Sequence, residues 1–376
     1  MIRFLHTSDW QLGITRHFLS EGVQERFTQA RFDAIRHLGR IAKEESCDFM
    51  VVCGDVFESN QVDRKTVSRA LEALKEVPVP VYLLPGNHDP LNAGSVYRSS
   101  TFIKGTPSHV HIVEDMTPIT LSEGLHIVGA PWTSKRPLTD LVAEMTGPLN
   151  PIPNVKRVCI AHGAVDSFSP NPEDPALISL AAAERALSEG KIHYIALGDR
   201  HSVTKVGNSN RIWYSSTPEP TDYNEQMPGF ALIVEIDKDE VLTKELPVST
   251  WRFIERERLD LNSQEELDTF RTWLNTLEDK ERTILKIRFV GTLSLLLYAQ
   301  LEAILANARE LLGALEIRID DLAIIPDDTD FSDLGFSGFT ARTVERLRPT
   351  VTEAGPNSVA ARDALALLIR LARKAE

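Results

Sequence analysis

The sequence predicts a layered α/β domain followed by a smaller α+β unit and two terminal helices, and three observations lead there. Apolar runs at residues 2–6, 49–53 and 81–84 each end in a polar, glycine-containing turn. The first two are followed by apolar residues at helical spacing, a strand–polar loop–helix repeat whose ligands sit outside the carboxyl ends of the strands. Near residue 250 the texture changes to a β-α-β-α-β order without clustered His or Asp.

Taken in order, residues 2–6 end in Thr7-Ser-Asp-Trp-Gln-Leu-Gly13. Across residues 24–45, Phe27, Ala30, Ile35, Leu38 and Ile41 recur as on one face of a helix. Residues 49–53 form a second buried strand ending in Gly54-Asp-Val-Phe-Glu58, and Val67, Ala70, Leu71 and Leu74 mark the helix after it. The third run ends at Pro85-Gly86, where Pro supplies no ladder donor and Gly permits a tight turn, and Asn87, His88 and Asp89 follow in a row. Further strands are expected at 109–113, 125–130, 155–161 and 194–197, with a helix at 179–188. The last two of these strands end in His162-Gly163 and Gly198-Asp-Arg-His201. Residues 211–216 and 230–236 read as strands of a second sheet, and the domain is expected to close at residue 248.

The second unit, 249–326, has an alternating strand at 251–261 and a helix opened by Ser263-Gln-Glu-Glu266 in the capping-box pattern. A strand at 284–290, a helix at 293–312 and a strand at 315–319 complete it, and its role is expected to be shape or substrate positioning. Residues 327–376 form the last segment, since 326–339 is rich in Asp, Gly and Ser and reads as a linker before helices at 339–347 and 358–374. The wide apolar surface of the final helix is either packed on the body or docked on a partner.

Composition bounds the function. With 42% hydrophobic and 25% charged residues and no apolar run of membrane-spanning length, the chain is expected to be a cytoplasmic protein without a membrane partner. Its N-terminus lacks the shape of a signal peptide. Cys47, Cys53 and Cys159 lack paired metal-binding spacing and are expected to be reduced core residues. A net charge of −13 repels phosphate at long range, so any nucleic-acid contact must come from a local basic surface or a basic partner.

Five strand ends carry polar clusters: Asp9 with Gln11, Asp55, Asn87 with His88, His162, and Asp199 with His201. A lone Asp after a strand commonly caps a helix, and a lone His is commonly a satisfied core or surface residue. Five such clusters, expected at one edge of one sheet, exceed what capping needs. Grouped carboxylates, imidazoles and an amide suit a pair of divalent metals, and the mixed O/N set suits Mn²⁺, Fe²⁺ or Zn²⁺. The absence of thiolates argues against a structural zinc site.

Thr7-Ser-Asp-Trp-Gln-Leu-Gly, Gly54-Asp-Val-Phe, Gly86-Asn-His-Asp, Ala161-His-Gly and Gly198-Asp-Arg-His resemble the five motifs of the calcineurin-like metallophosphoesterases, over about residues 1–235. Leu5-His-Thr-Ser-Asp-Trp and Trp213-Tyr-Ser-Ser-Thr-Pro-Glu219 are similar to the SbcD-type DNA double-strand-break repair nucleases within that superfamily. The resemblance implies a two-sheet sandwich flanked by helices, with 249–326 as a capping domain. It also implies DNA as substrate, an SbcC-like ATPase partner docked on the C-terminal helices, and a homodimer.

Carried over position by position, Asp9 and His201 would hold one metal, Asp55 would bridge, and Asn87 and His162 would hold the other. His88 would stabilise the transition state or protonate the leaving oxygen, with Asp89 beside it as a positioning carboxylate. Water activated at the metals would attack phosphorus in line.

The chain departs from the family pattern at Gln11 and Asp199, both of which stand where the family has His. Asp199 offers a hard, charged oxygen that favours Mn²⁺ or Mg²⁺, and Gln11 only a neutral amide oxygen. The expectation is a Mn²⁺-dependent two-metal phosphodiesterase, a DNA exonuclease or endonuclease of SbcD type with metal-tuned or slower turnover. The alternatives are a small-molecule phosphodiesterase or phosphatase of the same superfamily, and a catalytically weakened scaffold component of an SbcC-like ATPase complex.

Overall fold

The alternation of side chains along the first strands sets the layers. In β1 (Ile2–Thr7), β2 (Phe49–Cys53) and β3 (Val81–Leu84), Leu5, Met50, Val52, Val81 and Leu83 join one core, while Phe4, Phe49, Val51, Tyr82 and Leu84 join another. Successive residues of a strand point to opposite faces, so strands apolar at every position must be covered on both sides. Helices α1 (Glu21–Glu44) and α2 (Arg64–Lys75) cover the first face through Phe32, Ile35, Leu38, Val67, Ala70 and Leu74. The second sheet covers the other through Ile127, Val158, Ile160 and Tyr194.

The computed structural model describes residues 1–238, 240–324, 338–351 and 356–374. They form two units, one of residues 1–17 and 24–251, the other of residues 18–23 and 252–376. The first sheet of the larger unit runs β12 (Glu240–Pro247), β11 (Phe230–Asp237), β1, β2, β3, β4 (Val110–Ile112). β1 to β4 are parallel, and β11 pairs antiparallel with both β1 and β12. The second sheet runs β5 (Ile119–Ser122), β6 (Leu125–Gly129), β7 (Lys156–His162), β8 (Tyr194–Gly198), β10 (Ile212–Tyr214), β9 (Thr204–Val206). Its outer face is packed by Val142 and Met145 of α4 (Leu141–Thr146) and Ala183, Ala186 and Leu187 of α5 (Leu180–Ser188); a short α3 (Ser100–Gly105) lies beside α2.

Two placements differ from the sequence reading. Residues 230–236 belong to the first sheet, where Ile2 pairs with Ile236 and His6 with Leu232. Their alternation shows a half-buried strand but not its partner. The five polar strand ends are divided between two sheets rather than lying along one: β1, β2 and β3 carry three, β7 and β8 the others. His6 joins the sheets within the core, its Nδ1 3.2 Å from the Tyr194 hydroxyl and its Nε2 3.1 Å from the Leu197 carbonyl oxygen.

The smaller unit is a three-stranded parallel sheet of β13 (Arg252–Leu261), β14 (Thr283–Leu293) and β15 (Ala314–Ile324). The crossover helices are α6 (Gln264–Thr276) and α7 (Leu295–Leu311). Ser263 caps α6 by accepting from the Glu266 N–H, and the Glu266 carboxylate reaches back to the Asn262 N–H. The last helices, α8 (Phe339–Val351) and α9 (Pro356–Lys374), contribute Val344 and Leu365 to this unit's core. Val359, Leu367 and Leu371 of α9 remain exposed. Most of the linker expected at 326–339 lies outside the described residues. No helix among the described residues is long and apolar enough to cross a membrane, and all three cysteines are buried and free.

Candidate metal centre

The strand ends converge because their backbones leave the strands in unusual conformations. Asp9, Gln11, Asp55 and Asp199 all have positive φ, of 52°, 49°, 52° and 98°. L-residues with side chains seldom adopt this region, and where they do the surroundings must over-determine it. Here they do: the Asp9 N–H donates to the Gly54 carbonyl and the Gln11 N–H to the Asp55 carbonyl, each at 3.0 Å. Glycine is required where neighbours crowd in. A Cβ on Gly198 would lie 1.8 Å from the Cys53 carbonyl oxygen, and one on Gly86 would lie 2.2 Å from Asp55 Oδ1.

The side chains form one connected cluster. Asp9, Asp55 and His162 are buried and offer ligand atoms all within 4.8 Å of one another. His162 Nε2 lies 3.5 Å from Asp55 Oδ2 and 3.7 Å from Asp199 Oδ1, and His201 Nε2 lies 3.8 Å from Asp9 Oδ1. Both Asp9 oxygens accept from the Asp199 N–H at 3.1 Å, and Oδ2 accepts from the Ser8 hydroxyl at 2.7 Å. The Asn87 amide has one terminal atom 2.6 Å from His162 Nε2 and 3.1 and 3.2 Å from the Asp55 oxygens. As NH₂ that atom donates to Asp55; turned by half a rotation, the oxygen occupies the same place and faces where a cation would sit.

Three imidazoles share one arrangement. His162 Nδ1 donates to the Cys53 carbonyl at 2.8 Å, and His88 Nδ1 to the Glu58 carbonyl at 2.9 Å. His201 Nδ1 donates to Glu225 Oε1 at 2.7 Å and lies 3.0 Å from Thr221 Oγ1. A proton fixed on Nδ1 leaves Nε2 as the inward-facing atom, the tautomer a metal-binding or proton-transferring histidine needs. Their exposure differs: the His162 side chain is fully buried, while that of His88 is 40% exposed.

The fit to divalent metal rests on two features of these residues. The donor set is oxygen and nitrogen alone, and it includes an acceptor with nothing to accept: Gln11 Oε1 is buried and without a hydrogen-bond partner, while its Nε2 donates to Asp55 Oδ2 at 3.2 Å. Without metal the imidazoles serve as counter-cations. Burial would lower His162 and His201, but Asp55 and Asp9 raise the first well above the ordinary imidazole value, and Glu225 raises the second to about 9. Burial also lifts Asp9 to about 6 against the pull of both histidines. A divalent ion supplies the positive charge that these protons otherwise provide.

Asp89 stands apart. Its oxygens accept from the Gly86 N–H at 2.8 Å, the Phe57 N–H at 3.0 Å and the Tyr97 hydroxyl at 2.6 Å, so it braces the turn that presents Asn87 and His88. Sequence reasoning missed Glu225 and Thr221, which lie in a loop without periodicity, and Tyr97, which follows the third motif. It singled out the stretch from Trp213 to Glu219 without its purpose. Thr217 Oγ1 donates to the Asp9 carbonyl at 2.7 Å, and Ser215 Oγ lies 2.9 Å from Ser8 Oγ, so this stretch holds the end of β1.

A two-sheet sandwich with carboxylates, imidazoles and an amide gathered at its strand ends forms a candidate centre for divalent metal. The chain belongs to the calcineurin-like phosphoesterases, a family that it matches over residues 2–203. It is similar to the DNA double-strand break repair protein Mre11 of Methanococcus maripaludis, with 25% identity over 241 residues, 61% of this chain and 62% of that protein. It is also similar to the D component of the nuclease SbcCD of Bacillus subtilis, with 29% identity over 136 residues, 35% of this chain and 28% of that protein. The chain thus spans less than two thirds of either relative. Among solved structures, a dimetal phosphatase from Danio rerio aligns at 13% identity with a TM-score of 0.42, covering 66% of this chain and 98% of that one.

Proposed function

We propose that this protein is a Mn²⁺-dependent two-metal phosphodiesterase that hydrolyses DNA, working with an SbcC-like ATPase. The observation that carries the reading is the shared set of the three imidazoles: each holds Nδ1 on an outer acceptor and turns Nε2 toward carboxylates at the strand ends. Asp9, Gln11 and His201 would hold one ion, and Asn87 and His162, with Asp199 facing His162, the other, with Asp55 between them. When bound, the ions supply Lewis-acid activation of water and charge neutralisation at the phosphoryl oxygens. The carboxylate-rich donor set, with Asp199 added, favours Mn²⁺ or Mg²⁺ over softer ions.

The chain's own residues do the rest. His88 is anchored through Nδ1 and reaches solvent, so its Nε2 can take up a proton and deliver it to the leaving oxygen. Asp55 Oδ1 accepts from the His88 N–H at 2.9 Å and fixes the backbone beneath that imidazole. Asp89 is assigned a positioning role, because it is buried and both its oxygens already accept hydrogen bonds from the turn and from Tyr97. The similarity to Mre11 and to the SbcCD nuclease supports DNA as the substrate. The second unit is assigned to substrate positioning, and the exposed Val359, Leu367 and Leu371 of α9 to the ATPase contact.

The test is a side-by-side assay with Mn²⁺ on linear duplex DNA, single-stranded DNA and a cyclic nucleotide. The proposal expects cleavage of DNA, abolished by chelation. Turnover confined to the cyclic nucleotide would replace it with a small-molecule phosphodiesterase.

A further inference from the structure

Beside the metal centre lies an open cleft of about 540 Å³ whose lining extends beyond the proposed metal ligands. Asp199 and His201 line it together with Arg16, Arg200, Asn224 and Gln226, and the carboxylates of Asp222 and Glu225 also border it. Its volume falls within the range of about 300–1,000 Å³ typical of small-molecule sites. Each charge along it can be accounted for. Glu225 is bound to His201 Nδ1. Arg16 is engaged by the Thr221 carbonyl and by Asp222, 3.7 Å away. Asp199 faces His162.

Arg200 is the cation left over. Its Nε donates to Thr204 Oγ1 at 3.0 Å, and its guanidinium lies 4.8 Å over the Phe168 ring. Among the described residues its Nη atoms have no hydrogen-bond partner. Phe168 is 42% exposed, and its ring makes an inclined, edge-type contact with Tyr214 with centroids 6.5 Å apart. The ring thus orients the guanidinium without neutralising it, and a planar fork held on an aromatic face is suited to bidentate recognition of phosphate. The remaining lining, Asn224, Gln226 and Ser202, offers polar groups of the kind that read a base or sugar.

We propose that this cleft is the subsite for the nucleotide flanking the scissile phosphate. Arg200 grips a phosphate oxygen there, and Phe168 holds Arg200 in register. The inference rests on the reading of the centre as a nucleic-acid phosphodiesterase and locates where one nucleotide of the strand sits. It also answers the charge problem, because a chain of net charge −13 needs a local cation at the point of phosphate contact.

Calorimetry of the Mn²⁺-loaded full chain with deoxyadenosine monophosphate and with inorganic phosphate tests this without turnover. The wild type should bind the nucleotide about tenfold or more tightly than phosphate. Arg200→Ala should weaken nucleotide binding by about tenfold or more, the scale of one charge-assisted hydrogen bond. Arg200→Lys should recover only part, since it keeps the charge but not the fork, and Phe168→Ala should weaken it by about threefold. Equal affinity for nucleotide and phosphate in the wild type, or unchanged binding in Arg200→Ala, would overturn the subsite. So would loss of Mn²⁺ binding in both Arg200→Ala and Arg200→Gln, which would make Arg200 a support for the ligands. DNA cleavage with an indifferent Arg200 sinks this inference alone; Arg200-dependent nucleotide binding without DNA cleavage sinks the nuclease reading alone.

Discussion

His88 and Asp89 are neighbours in the chain with opposite surroundings, and they should fail differently. The His88 imidazole is partly exposed and has one backbone anchor. His88→Ala should leave Mn²⁺ stoichiometry and folding intact while slowing phosphodiester hydrolysis by about 10²–10⁴-fold, the range for a lost general acid. Equal activity in the variant would refute the role. Asp89 is buried and accepts three hydrogen bonds, from Phe57, Gly86 and Tyr97. Asp89→Ala strands those donors, at about 1–3 kcal/mol for each one left unsatisfied. A lowered urea midpoint should appear together with lost metal binding; a variant as stable as the wild type would contradict the bracing role.

At the scale of elements, the strand ends hold the centre and His6 ties the two sheets behind it. Burial lowers the His6 imidazole to about 3 from 6.5, so the folded protein keeps it neutral, whereas an unfolded chain takes up a proton below 6.5. Its contribution is complete above that value and is lost as pH falls from 6.5 toward 3. Urea midpoints should therefore drop between about pH 7 and pH 5, and less steeply in His6→Asn. An identical slope in the variant would show that other groups set the acid limit. The strands themselves were legible in the sequence because each apolar run stops abruptly at Asp9, Asp55, Asn87, His162 or Asp199. The partners of β11 were not, since alternation reports a buried face and not a neighbour. Glu225 and Thr221 escaped because irregular loops carry no period, and the positive φ of Asp9, Gln11, Asp55 and Asp199 is imposed by tertiary crowding that no local pattern encodes.

For the whole molecule, charge and metal are linked. A chain of net charge −13 places carboxylates and protonated imidazoles together at its centre, and divalent ions would relieve both the repulsion and the proton demand. Gln11 and Asp199 bear on this balance, one offering only a neutral amide oxygen and the other adding a negative charge. A titration of purified protein with Mn²⁺, followed by calorimetry in buffers of different ionisation heat, tests the central claim most directly. Two ions per chain, bound with release of protons from His162 and His201 and reversed by chelation, are predicted. No binding at millimolar Mn²⁺, together with no hydrolysis of any phosphodiester, would contradict the two-metal centre and leave a scaffold built on the same fold.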